Sequence, residues 1–490
     1  MNLQQFPILG GILIAADLAI RIAALIIVPR DRKPTAAMAW LLAIFLIPFI
    51  GIILFLLIGN VRLPRKRREK QHELNRIITD RAEGIPPIGD RGDFPDWFAS
   101  LAHQNRANGA LPAVAGNTAT LIGDYRSSID AMTADIETAR AFVHVEFFIV
   151  SWDATTRPFF AAMERAVQRG VTVRLLADYV ASRRAVDSEK TFAELDRIGV
   201  RWSWMLPVRP FSGEYQRPDL RNHRKLVVVD GIVAHMGSQN LIDRSYNTPK
   251  NLKRGLQWQE LMARITGPVV AETNAVFLSD WYLETGELLG ADAQVAAVDV
   301  PADPSPDALV CQVVPSGPGY DGENNLRQFL TLVTSAQRKV IITSPYFVPD
   351  EAMMYAITSA CQRGLEVQLF VSEIGDQGAV WHAQRSYYEP LLRAGVQIWL
   401  YPAPFILHSK HLSIDDDVAV IGSSNMDIRS FALNSEVTLL TYGRSFVEQM
   451  RAVEQGYRDA GRQLTLEEWL REPRSATFLD GVARLTSALQ

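Results

Sequence analysis

Hydropathy divides the chain sharply near its start. Residues 7–28 and 36–58 form two nearly unbroken apolar runs, joined by a short polar connection that carries Arg30, Arg32 and Lys33. Each run has the length of a bilayer-spanning helix, about 20 residues. The pattern therefore predicts a two-helix transmembrane hairpin over residues 1–60. Asp17 and Arg21 interrupt the first run. Charge inside a bilayer is costly, but an i, i+4 spacing sets the two on one helix face, where they pair. No basic segment precedes the first run and a second apolar run follows at once, which argues against a cleaved signal peptide.

The next segment, 61–115, reads as a basic juxtamembrane stretch followed by a linker. Arg62, Arg65, Lys66, Arg67, Arg68 and Lys70 face only Glu69 in opposition. Six basic residues after the second run outweigh three before it, so the positive-inside rule places the main body in the cytoplasm and the anchor in the inner membrane. The same cluster attracts anionic membrane lipids. Residues 76–115 are rich in Pro, Gly, Asp and Asn, with a short helix expected at 97–104. A second break over 290–308 holds Pro301, Pro304 and Pro306. Two lobes remain, 116–289 and 309–490.

The lobes repeat one another. Ala166-Val-Gln-Arg-Gly170-Val-Thr-Val-Arg-Leu-Leu176 in the first matches Ala360-Cys-Gln-Arg-Gly364-Leu-Glu-Val-Gln-Leu-Phe370 in the second. Each reads as an amphipathic helix ended by Gly and followed by an apolar strand, the repeating unit of an α/β layer. Apolar runs at 144–150 and 340–348 lie upstream, and Gly199-Val200 and Gly395-Val396 open further strands downstream. The fold class is α/β: two similar lobes of common ancestry, preceded by the hairpin.

Each lobe then delivers one polar pattern. The first has His223-Arg-Lys225-Leu-Val-Val-Val-Asp230 and then Gly237-Ser238-Gln-Asn240; the second has His408-Ser-Lys410-His-Leu-Ser-Ile-Asp415 and then Gly422-Ser423-Ser-Asn425. The offset from Asp to Gly is the same in both. On a strand, His and Lys two apart point to one side while Arg224 or Ser409 faces the other. The Gly-Ser turn lets backbone approach a ligand closely and presents an Asn amide. Two facing lobes would bring two His, two Lys and two Asn to one point. That set suits phosphodiester chemistry: lysine and amide donors hold the charge spread over the phosphoryl oxygens. One imidazole attacks phosphorus and the other protonates the departing oxygen. No metal or other cofactor is needed, since the lysines carry the charge.

Composition narrows the field. A formal net charge of −4 argues against a protein that coats nucleic acid, and two cysteines, Cys311 and Cys361, exclude a disulfide framework or a cysteine-based zinc site. His411 lies three residues after His408, but three apart on a strand means opposite faces, so no metal pair is expected. His72, His103, His144, His235 and His382 stand outside any pattern, as surface or packing residues. Trp202, Trp204, Tyr346, Phe347 and Tyr387 are read chiefly as core, with a lipid cleft as the alternative.

The paired motif resembles the phospholipase D superfamily, and bacterial cardiolipin synthases within it. The likeness extends to Arg32-Lys-Pro34 and Trp40, Asn222, Gln257-Trp258, Asp280-Trp281, Ser316-Gly-Pro318, Ser344-Pro-Tyr-Phe-Val-Pro349, Asn425-Met-Asp427-Ile-Arg429-Ser430 and Asn434-Ser-Glu436. It implies that two phosphatidylglycerol molecules condense to cardiolipin and glycerol through a phosphohistidine. His223 would be the nucleophile and His408 the acid and then the base. Lys225, Lys410, Asn240 and Asn425, with Ser238 and Ser423, would grip the phosphate. Glu260 and Glu436 would orient the histidines; Glu260 stands where related enzymes often carry Asp. Asp230 and Asp415 belong to the motifs but read as structural partners. The same motifs serve a hydrolytic phospholipase D, a transphosphatidylase using another alcohol, or a nuclease. No protein partner is implied, and a non-catalytic lipid-binding scaffold sits poorly with two intact motifs.

Overall fold

The computed structural model describes residues 5–30, 32, 34–59, 63–82, 94–209, 217–290, 308–320 and 322–485. Most of the predicted linker at 290–308 and the Pro- and Gly-rich stretch at 84–87 lie outside the described residues. The chain forms two compact units, residues 1–62 and 63–490.

The first unit departs from the two-helix expectation. The first apolar run is one helix, α1 (Gln5–Ile27), along which Arg21 Nε donates to Asp17 at 2.7 Å. The second run is not one helix but two, α2 (Pro34–Leu46) and α3 (Pro48–Ile58), of 13 and 11 residues. Pro48 lacks the N–H that would continue α2, and Ile47 before it leaves the helical region, as residues before proline tend to. The chain then folds back on itself. Trp40 meets Phe55 edge-on at 5.5 Å, and the Arg32 guanidinium donates to the Gly59 carbonyl at 3.0 Å. Gly51 permits the turn, because a Cβ there would press on the Ala43 carbonyl. Among the described residues no helix is long and apolar enough to cross a membrane. The unit's outer surface is nonetheless apolar, with Leu46 and Leu56 each 73% exposed.

The second unit begins with the helices Arg65–Ala82 and Asp96–Ala107, the latter covering the helix expected at 97–104. Its core is one 15-stranded sheet. The first lobe supplies β1 (Val114–Ile122), β2 (Phe142–Phe147), β3 (Thr172–Asp178), β4 (Arg201–Met205), β5 (Lys225–Val229), β6 (Val233–Gly237), β7 (Gln257–Gln259) and β8 (Met262–Thr266). The second supplies β9 (Leu309–Ser316), β10 (Lys339–Thr343), β11 (Glu366–Ser372), β12 (Gln397–Tyr401), β13 (Phe405–Leu407), β14 (His411–Ile414), β15 (Val418–Gly422), β16 (Glu436–Tyr442) and β17 (Arg462–Leu464).

From the centre outward the first lobe runs β1-β8-β6-β5-β2-β3-β4 and the second β9-β16-β15-β14-β10-β11-β12, with β17 added at that edge. The two orders match strand for strand, and antiparallel β1 and β9 join them. In each lobe three neighbouring strands are parallel, β2-β3-β4 in the first and β10-β11-β12 in the second. The crossover helices Arg157–Gln168 and Glu351–Gln362 end at Gly170 and Gly364, both at φ +87°. Glycine takes that left-handed conformation without steric cost. Strands β5, β6, β14 and β15 are buried at every position, the polar Lys225, His235, His411 and Ser413 among them. Away from the main sheet, β7 and β13 pair in parallel and tie the lobes together beside the cleft.

Candidate active site

Both histidines sit just before an inner strand, His223 ahead of β5 and His408 ahead of β14, where the chain enters the seam between the lobes. Backbone bonds across the seam fix them: His223 N donates to the Ser435 carbonyl at 2.8 Å, and His408 N to the Gln259 carbonyl at 2.7 Å. The side chains are crossed in the same way. His223 Nδ1 lies 3.0 Å from each oxygen of Glu436, a residue of the second lobe. His408 Nδ1 lies 2.7 Å from Glu260, a residue of the first. Each lobe thus supplies the carboxylate for the other's histidine.

The tautomers follow from these partners. His223 Nδ1 also faces the Ser423 carbonyl at 3.1 Å, which can only accept, so Nδ1 carries the proton and Nε2 the lone pair. Among the described residues no hydrogen-bond partner is found for Nε2 of either histidine. Lys225 Nζ and Lys410 Nζ fold back to the His223 and His408 carbonyls, each at 2.5 Å. Two buried ammonium groups with spare donors therefore flank the imidazoles.

The serines and glycines of the Gly-Ser turns do something other than expected. Ser238 Oγ donates to Glu260 and Ser423 Oγ donates to Glu436, both at 2.5 Å. Each hydroxyl also accepts a backbone N–H, from Leu261 and from Val437. They pin the carboxylates and have no donor left for a phosphate. Gly237 and Gly422 are glycine because a Cβ would collide with the neighbouring strand, at the Leu261 and Val437 carbonyls, rather than with a ligand. Asn240 accepts from Ile149 N at 3.2 Å and donates to the Tyr246 hydroxyl at 2.8 Å; Asn425 donates to Asp427 at 3.1 Å. Each amide nitrogen keeps one N–H for another acceptor.

Asp230 and Asp415 lie at the far ends of β5 and β14, away from the histidines. Asp230 accepts from the backbone N–H groups of Arg140, Ala141 and Phe142, and Asp415 from those of Gln337, Arg338 and Lys339. They tie each inner strand to the start of β2 or β10 and stand apart from the histidines and lysines of the cleft.

Electrostatics separates the two histidines. Burial, with the nearby Lys225 and Lys410 ammonium groups, holds His223 well below its ordinary value. Burial also pushes its partner Glu436 up to about 7, against the pull of Lys225 and the serine hydroxyls. Around His408 burial again lowers the imidazole, but the Glu260 charge opposes it. Burial alone would raise Glu260, yet the His408 charge and hydrogen bond, with Lys410 and Ser238, hold it below the usual carboxylate value. His223 is therefore the better neutral base, and His408 the one whose partner favours imidazolium. Burial brings Lys410 down to about 8.

A deeper set of residues had only partial sequence signals. Beneath His223, Asn222 donates to Glu146 at 2.9 Å, and Arg224 pairs with Asp280 while its Nε donates to the Glu436 carbonyl at 3.0 Å. The outward-facing residue of the second motif, Ser409, instead receives the Tyr457 hydroxyl at 2.9 Å. His411 is buried 3.7 Å from Glu454, with no group of three metal-ligating side chains among the described residues. His144 is sandwiched between Phe142 and Phe277, and His235 and His382 pair with Asp135 and Asp480.

Two lobes that share one sheet and converge a His and a Lys each on a common cleft define the phospholipase D-like class of fold and site. A solved phosphatidylserine synthase of Haemophilus influenzae Rd KW20 has the same fold over 80% of this chain and all of its own (TM-score 0.61, 15% identity). The chain belongs to the cardiolipin synthase, phospholipase D-like family: that domain profile matches residues 132–281 and 329–455, one match in each lobe. A phospholipase D-nuclease N-terminal profile matches residues 19–60. The chain is 31% identical to cardiolipin synthase A of Pectobacterium carotovorum subsp. carotovorum (strain PC1), over 91% of each chain. It is 28% identical to cardiolipin synthase A of Proteus mirabilis (strain HI4320), over 94% of each.

Proposed function

We propose that the protein is a cardiolipin synthase that moves a phosphatidyl group from one phosphatidylglycerol to another. The observation that carries this is the pair of imidazoles in one cleft, each with Nδ1 held by the opposite lobe and Nε2 left for chemistry. His223 Nε2 attacks phosphorus. As the bond from phosphorus to the glycerol oxygen breaks, His408 gives its proton to that oxygen, leaving a phosphatidyl-histidine and free glycerol. A hydroxyl of the second phosphatidylglycerol then gives its proton to His408 and attacks phosphorus, forming cardiolipin and releasing His223. Lys225 and Lys410 hold the phosphoryl oxygens in both steps, with Asn240 and Asn425 adding amide donors. Glu436 steadies the positive charge that grows on His223, and Glu260 the imidazolium of His408.

The apolar unit at residues 5–59 attaches the enzyme to the inner membrane, where both lipid substrates reside. The six basic residues from 62 to 70, against three in the earlier connection, put the catalytic lobes in the cytoplasm and draw anionic lipid to them. The test is head-group transfer by the full-length protein in liposomes of labelled phosphatidylglycerol. Equal yields of cardiolipin and glycerol, lost in His223→Ala and His408→Ala, support this reading. Phosphatidic acid as the sole lipid product would make the protein a hydrolase instead.

A further inference from the structure

An ordinary surface helix turns its apolar side to the core and its charged side to water. The helix Arg474–Leu485 does the reverse. Its inner side is Ala476, Asp480 and Ala483, spaced i, i+4 and i+7, and Asp480 is only 1% exposed. Asp480 accepts from His382 Nδ1 at 2.6 Å and from Arg385 Nε at 3.3 Å, both on the helix Gly378–Arg385. Arg385 also pairs with Glu472 at 2.9 Å, just ahead of the last helix. Charge therefore seats this helix. Its outer side is apolar: Phe478, Leu479, Val482 and Leu485 are all exposed, Phe478 by 69% and Leu485 by 84%. Among the described residues nothing covers them.

A second element continues this surface. The short helix Pro249–Arg254 exposes Leu252 between Lys250 and Lys253. No carboxylate pairs with either lysine among the described residues. Arg254 donates to the Gly375 carbonyl at 3.0 Å, and Gly375 packs on Trp381, the neighbour of His382. These contacts set both helices on one side of the second lobe, at the end of the sheet that carries the site. There Leu407 N, one residue before His408, donates at 2.8 Å to Ser372 Oγ, at the end of β11. The Tyr346 ring lies 6.2 Å from His408 and bonds through its hydroxyl to Asp376, beside Gly375. An apolar helix side next to unpaired lysines complements an anionic bilayer: the lysines meet head groups while the apolar side chains reach the acyl boundary.

We propose that Phe478, Leu479, Val482 and Leu485, with Leu252, Lys250 and Lys253, form a membrane contact of the catalytic unit itself. It lies in the head-group layer of a bilayer rich in anionic lipid and holds the His408 side of the cleft against the lipid surface. This inference rests on the membrane-bound placement proposed above and is independent of the reaction catalysed.

The test places a nitrobenzoxadiazole label at Val482→Cys in the full-length protein, in a Cys361→Ala background that leaves only the buried Cys311. Ile232→Cys is the control, equally apolar and exposed but in the turn after β5, at the far end of the sheet. Both are reconstituted in phosphatidylcholine vesicles with and without phosphatidylglycerol, and quenching by acyl-chain nitroxide lipids is measured. The label at 482 is expected to be quenched several-fold more than the label at 232, and more with phosphatidylglycerol than without. Lys250→Glu with Lys253→Glu, both exposed, should lower that quenching about twofold or more. Equal quenching at the two positions in vesicle-bound protein would overturn the contact while leaving the membrane placement intact. Quenching untouched by the charge reversal would overturn the preference for anionic lipid. A label at 482 shielded in detergent in proportion to protein concentration would mean that a second copy covers the face, against the lipid reading. Protein that fails to float with either vesicle would end the membrane placement and this contact with it.

Discussion

The two lobes carry matching strand orders and matching His-x-Lys turns, yet they solve the problem of supporting a histidine differently. Beneath His223 lies a charged foundation: Asn222 on Glu146, and Arg224 on Asp280 and on the backbone of Glu436. Burial, then the Asp280 charge, push the Glu146 carboxyl well above its ordinary range. Beneath His408 the foundation is neutral, a Tyr457 hydroxyl on Ser409. The partner carboxylates differ as well: Glu436 is raised to about 7, while Glu260 is lowered. Duplication supplied two similar sites, and packing across the seam made them unequal. One histidine is left better suited to attack and the other to carry a proton.

The largest expected effect separates those roles. His223→Ala should lower kcat/KM by about 10⁴-fold or more, the scale seen when a nucleophile is removed. His408→Ala should cost about 10²–10⁴-fold, the range of general acid catalysis. A donor with a p-nitrophenol leaving group, which departs without a proton, should restore the first step in His408→Ala and not in His223→Ala. Equal rescue of both would erase the distinction.

The foundations should differ in stability. Arg224→Met leaves Asp280 buried without its cation, which should cost about 3–5 kcal/mol. Tyr457→Phe removes one neutral hydrogen bond and should cost about 1 kcal/mol. Denaturant midpoints of the solubilised protein would check both, and comparable losses would mean that the two foundations are equivalent.

The crossed carboxylates come next. Glu436→Gln and Glu260→Gln should each lower kcat by about 10²-fold, as loss of charge behind a working histidine does. Their pH profiles should diverge, with a smaller effect. Activity needs Glu436 ionised, so it rises as pH rises through about 7. It needs Lys225, Lys410 and, in the first step, the His408 imidazolium protonated, all three lowered by burial and Lys410 to about 8, so it falls as pH rises. Glu260 is already ionised across this range. The acid-side limb of kcat/KM should therefore vanish in Glu436→Gln and persist in Glu260→Gln.

Much of this was readable from residue order, and the exceptions share a cause. The repeat, the α/β alternation and the His-x-Lys pairs depend on local periodicity, which a sequence displays. The carboxylate exchange across the seam depends on how two lobes pack, and nothing near Glu260 or Glu436 encodes it. The bonds of Ser238 and Ser423 to the glutamates are hidden for the same reason, because those partners lie 22 and 13 residues away in sequence. The second apolar run went wrong more locally. Its hydropathy is continuous through Pro48, whereas its backbone is not.

The most direct test is to find which histidine carries the phosphatidyl group. Wild-type and His408→Ala proteins would be quenched within the first turnover on labelled phosphatidylglycerol and digested under conditions that preserve phosphohistidine. The adduct would then be located by mass spectrometry. The account predicts the group on His223 in both, accumulating in the variant because no base remains to activate the acceptor. Label on His408 in the wild-type protein would contradict it.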